Sequence, residues 1–76
     1  MKVLNLLDKI ITNQGIETLR GEVIKTPFDT IYTIEDVQGN TYLYSKRLNL
    51  YETINKKGTS IKANSLDAFT LTLNIN

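Results

Sequence analysis

The chain contains no cysteine, no histidine and no tryptophan, and only one proline among its 76 residues. Without Cys it has neither disulfide staples nor thiolate ligands, so a domain this small must draw its stability from its core or from association into a homo-oligomer. Without His it lacks the usual proton shuttle of neutral pH and, with Cys also absent, the preferred ligands of zinc. These absences argue against most enzyme classes and lead to the expectation of a non-catalytic protein with no metal and no cofactor. Long apolar runs are missing too. Asp8 and Lys9 interrupt the opening segment before it reaches the length of a membrane span, and the run ahead of them is too short for a signal-peptide core. No membrane association is expected, and the reducing cytoplasm fits.

A chain of this length buries only about 60% of its unfolded surface and supports one core, so residues 1–76 read as a single domain. Its net charge is +1, but the charges are unevenly placed. Residues 1–36 carry four basic and six acidic side chains; residues 37–76 carry five basic and two acidic ones. Attraction to a polyanion must therefore come from the later part. Ile, Asn, Lys and Tyr together make up 28 of the 76 residues, and their AT-rich codons fit a bacterial, phage or mobile-element origin alike.

Val3, Leu4, Leu7, Ile10 and Ile11 follow the i, i+3/i+4, i+7 spacing of one helical stripe, which predicts an N-terminal helix over 2–13, with Gly15 ending it. An edge strand is the rival reading of the same residues. From Ile16 onward the pattern is that of strands. Leu19–Thr26 is predicted as the first, with Gly21 as a bulge or bend. Thr26-Pro27-Phe28-Asp29 is a turn, since Pro27 fixes φ and removes a donor. Thr30–Asp36 is the second strand and Thr41–Lys46 the third, joined by a hairpin in which Gly39 and Asn40 tolerate positive φ. The 48–57 segment reads either as a helical turn or as a loop. Thr59–Ala63 is a short strand. Residues 67–76 alternate, with Phe69, Leu71, Leu73 and Ile75 on one side, and are predicted as a final strand buried on one face.

Gly21-Glu22-Val23, the run from Tyr32 to Gly39, and Lys57-Gly58-Thr59-Ser60-Ile61 together resemble the oligonucleotide/oligosaccharide-binding (OB) fold across residues 16–76. The implied fold class is mainly β, a small five-stranded barrel with a short N-terminal helix, an SH3-like barrel being the alternative. In that family bases lie across the second and third strands, bordered by loops. The resemblance therefore implies Tyr32, Tyr42 and Tyr44 as base platforms, with Lys46 and Arg47 beside them, Lys25 before the first loop and Lys62 on the fourth strand. Aromatics interleaved with cations suit single-stranded DNA or RNA bound with little sequence preference, each stacked base contributing about 1–3 kcal/mol.

Each of these residues also has a plainer role. Tyr42 and Tyr44 share a strand face and are equally suited to fill a core, and Lys46-Arg47 and Lys56-Lys57 are ordinary solvated turn cations. Asp29, Glu35, Asp36 and Asp67 are the carboxylates available for acid/base work, but Asp29 and Asp36 flank turns, where Asp is favoured for its own backbone hydrogen bonds. The alternative function is a protein-binding adaptor or inhibitor of phage or plasmid type, acting through a strand edge or the stripe of the N-terminal helix.

Overall fold

A computed structural model describes residues 2–74. Helix α1 (Lys2–Thr12) leads into five strands, β1 (Thr18–Lys25), β2 (Thr30–Asp36), β3 (Thr41–Ser45), β4 (Leu50–Ile54) and β5 (Ser60–Ala63), and helix α2 (Leu66–Asn74) follows. The strands form one antiparallel sheet in the order β1-β2-β3-β4-β5. Each strand therefore pairs with its neighbours in sequence, and the sheet does not close. The mainly-β expectation holds, but the barrel does not: this is an open meander with helices on one side, whereas OB folds are partly open Greek-key barrels.

The apolar stripe of α1 lies over β1 and β2, α2 lies over β4 and β5, and the helices touch each other. Both thus cover the same face. Leu7 and Ile11 from α1, Ile34 from β2, Tyr42 from β3, Ala63 from β5, and Phe69 and Leu73 from α2 make the core. Burying a side chain of the Leu or Phe size contributes about 1.5–3 kcal/mol, so these few residues hold most of the fold's stability. Gly21 lies directly beneath α1. A Cβ there would stand 3.0 Å from Ile34 Cδ1 and 3.1 Å from Leu4 Cδ2, so the bare backbone lets the helix come down onto β1. The register shift falls just before it, between Thr18 and Arg20, rather than at the glycine itself.

The C-terminal segment corrects the predicted strand over 67–76. Ser65 caps a helix by accepting the Ala68 amide on its hydroxyl, and Asp67 in the first turn favours the positive end of the helix dipole. Phe69 and Leu73 are four apart and share the inward stripe, while Leu71, 63% exposed, points away. Thr70 and Thr72 donate their hydroxyls back to the carbonyls of Leu66 and Phe69, which removes the polar face that had suggested alternation. Ile75 lies outside the described residues. The ambiguous 48–57 segment supplies β4, whose turn into β5 is held by the Asn55 side chain accepting the Lys57 and Thr59 amides, with Gly58 at φ +89°.

Candidate binding surfaces

Two aspartates organise the turns, and both oxygens of each accept hydrogen bonds in doing so. Asp36 ends β2, and its Oδ1 accepts the amides of Gln38 and Asn40 at 2.9 Å each. Its Oδ2 accepts the Asn40 side-chain amide at 2.9 Å and the Tyr42 hydroxyl at 2.7 Å. Burial pushes the Asp36 carboxyl up, but the bonds from Tyr42, Asn40 and Gln38 outweigh it and leave the group below its ordinary value. Burial, and then the adjoining Asp36 carboxylate, push the Tyr42 phenol well above its ordinary value. Asp29 does the same job at the other end of the sheet, accepting the Ser45 hydroxyl and the amides of Thr30 and Arg47. Those bonds, Ser45 first, hold the Asp29 carboxyl low. Among the described residues no three His, Cys, Asp or Glu side chains converge.

The register sorts the predicted platform residues. Ile34, Tyr42 and Thr53 stand in one cross-strand row on the helix-covered face; Val23, Tyr32, Tyr44 and Tyr51 stand in the next row of the same face. Tyr42 is a core residue, 3% exposed, edge-on to Phe69. Tyr32, Tyr44 and Tyr51 are half-buried and form a ladder that runs into the core. Tyr32 and Tyr44 have ring centroids 6.1 Å apart, Tyr44 stacks on Tyr51 at 4.6 Å, and Tyr51 stacks on Phe69 at 5.2 Å. Burial, and then Tyr44, push the Tyr51 phenol up. Much of the π-surface of Tyr44 and Tyr51 is thus already taken by a neighbour.

The predicted cations separate into two groups. Lys25, Lys46 and Arg47 are exposed and gather at one end, where the Lys46 amide donates to the Thr30 carbonyl and Lys25 pairs in register with Thr30. Lys62 stands on the opposite face of the sheet, across from Glu52. Sequence reasoning missed Phe28. It is 78% exposed on the β1–β2 turn and shares a shallow depression of about 420 Å³ with Lys46 and Arg47. Its signal lay in the turn itself, since an aromatic after Pro27, outside any strand, has no core to enter.

Two further surfaces come from the fold rather than from single residues. Strand β1 is an outer strand of eight residues, and a groove of about 220 Å³ separates it from α1, lined by Leu4, Asn5, Asp8, Leu19 and Gly21. The stretch from Arg20 to Lys25 makes no backbone hydrogen bond outside the sheet among the described residues. The other surface is the face of the sheet that neither helix covers, which carries Ile24, Ile31, Leu43, Leu50 and Ile54 among Thr and charged side chains. Arg20 and Glu35 pair there at 2.9 Å. On the covered face Thr53 Oγ1 is buried without a partner among the described residues, beside a cavity of about 280 Å³ that Asn40, Tyr42 and Asn55 also line. No helix among the described residues is long and apolar enough to cross a membrane. Comparison with protein-family models, curated proteins and solved structures finds no match to this chain, so its sheet, its turns and these surfaces are what a functional reading has to rest on.

Proposed function

We propose that this protein is a non-catalytic protein-binding module that takes an extended segment of its partner as a sixth strand along β1. The observation that carries this reading is a long outer strand with a side-chain groove beside it. An added strand is held by main-chain hydrogen bonds and is selected by pockets that receive alternate side chains. The space over Gly21 is filled by Leu4 and Ile34, so the groove opens beside Asn5, Asp8 and Leu19 rather than over the glycine. The nearly neutral charge suits a protein partner better than a polyanion. The bulge ahead of Arg20 turns Leu19 outward and limits the usable edge to Arg20–Lys25. The test is amide hydrogen exchange on the full chain with extended peptides selected from a displayed library. Slowed exchange at alternate amides between Arg20 and Lys25 is expected. Peptides that bind tightly while protecting only α1 or β5 would overturn the reading.

A second reading, single-stranded nucleic acid, is favoured by one observation: exposed Phe28 stands beside Lys46 and Arg47 in the same depression. One base stacked on Phe28, with phosphates held by the neighbouring cations, contributes about 1–3 kcal/mol from stacking. Fluorescence anisotropy with a labelled oligonucleotide at low salt tests it. Binding that weakens with added salt and with Phe28→Ala or Arg47→Ala supports this reading, and a flat titration removes it.

A further inference from the structure

We infer that the uncovered face of the sheet is a self-association surface, on which a second copy of this chain packs face to face with the first. This does not rest on the partner strand at β1, because it uses the side chains of one face rather than the free backbone edge.

The inference follows from the order of residues across the strands. The register lays three rows over the uncovered face. The first reads Ile24, Ile31, Ser45, Leu50; the second Glu22, Thr33, Leu43, Glu52, Lys62; the third Arg20, Glu35, Thr41, Ile54, Ser60. Open antiparallel sheets normally present polar side chains to water on the uncovered side. Here each row keeps at least one aliphatic residue, and the first is aliphatic at three of its four positions.

Two aligned sheets packed face to face have inner side chains that interdigitate. A homodimer needs a two-fold axis lying between them, and two orientations are available. An axis across the strands sets β1 on β1 and β5 on β5, so Glu22 meets Glu22, Glu52 meets Glu52 and Lys62 meets Lys62. Like charges then face each other at three places. An axis along β3 sets β1 of one protomer on β5 of its partner and β2 on β4. Glu22 then meets Lys62 twice by symmetry, Ile31 meets Leu50 twice, Leu43 meets its own copy on the axis, and the Thr33 hydroxyl faces Glu52. The charge order of the second row, Glu22 on β1 and Lys62 on β5, therefore selects one self-complementary arrangement and rejects the other, while in the third row Arg20 stays paired with Glu35 of its own protomer.

The homodimer is tested by sedimentation equilibrium on the full chain across the micromolar range. The expected result is a mass that rises with concentration from 8.6 kDa toward twice that value. Leu43→Lys sets two ammonium groups against each other on the axis and is expected to leave a monomer throughout, with an unchanged circular-dichroism spectrum. Glu22→Lys and Lys62→Glu are each expected to weaken association by about tenfold, the size of effect two edge ion pairs supply. Combining them restores the opposite-charge contacts and is expected to return the wild-type constant. A chain that stays monomeric, or a dimer that survives Leu43→Lys, overturns the inference; the latter would indicate pairing through the β1 edge. Hydrogen exchange at Arg20–Lys25 with bound peptide reads the other surface, so failure of one proposal leaves the other standing.

Discussion

The two faces of one sheet hold almost the same kinds of residue and end in different circumstances. The covered face carries Ile34, Tyr42 and Ala63, buried beneath the helices, and Tyr44 and Tyr51, half-buried beside them. The other carries Ile31, Leu43, Leu50 and Ile54, half-buried with no helix over them, and among the described residues only Ser45, tied to Asp29, is fully buried there. Side-chain type alone does not set burial here. What decides is where α1 and α2 find room to lie, and Gly21 gives α1 its seat on β1. The covered face consequently contains the fully buried core, whereas the uncovered one is the face on which the self-association proposed above would act.

The largest way to test that division is Phe69→Ala. Phe69 is 1% exposed and touches both Tyr42 and Tyr51, so its truncation is expected to cost about 3–5 kcal/mol, enough to unfold much of a domain this small, as read by chemical denaturation. Next comes Asp36→Ala, which strands two turn amides, the Asn40 side chain and the Tyr42 hydroxyl; a loss of about 2–3 kcal/mol is expected.

The same carboxylate gives a pH signature with a defined sign. Asp36 and Asp29 both titrate below the unfolded value of 3.8, so they contribute stability in full above that value and lose it as pH falls through their folded values. Acid unfolding should therefore be steep below about pH 4, and Asp36→Ala should flatten it. At the alkaline end, the raised Tyr42 phenol keeps its contribution below its unfolded value of 10.0 and loses it as pH climbs beyond.

Smaller effects sharpen the contrast. Thr53→Val removes a buried hydroxyl that has no partner among the described residues while keeping its shape, and is expected to raise stability by about 1 kcal/mol in a denaturant melt. Leu43→Thr on the uncovered face is expected to stay within about 0.5 kcal/mol of wild type when measured at dilution, where only the monomer contributes. A large loss from Leu43→Thr under those conditions would show that the uncovered face carries stability of its own.

The hairpin of β2 and β3 was legible from sequence because two local signals agree: Thr30–Asp36 alternates, and Asp36, Gly39 and Asn40 have the chemistry a tight turn requires. α1 was legible from its stripe. The residues after Ser65 were misread because a nine-residue helix with apolar side chains at 69, 71 and 73 satisfies a two-residue period as well as a four-residue one, and the deciding cue was the Ser65 cap rather than the periodicity. β4 gave no alternation because Tyr51 and Thr53 face the helices while Leu50 and Ile54 lie on the other side. For the tyrosines, spacing identified which of them share a face. It did not identify which face would be covered, since that depends on two helices at opposite ends of the chain. Lys62 was separated from Lys25, Lys46 and Arg47 for the same reason.

The strict neighbour-to-neighbour pairing of the strands also bears on how the chain reaches this state. Each hairpin closes a loop of only a few residues, so little loop entropy is lost before contacts form, and the sheet can zip from any of its turns. Among the described residues, only the meeting of α1 with α2 joins the two ends. Contact order is consequently low for a β-rich protein, which favours folding faster than barrels and sandwiches, whose strands must wait for distant partners.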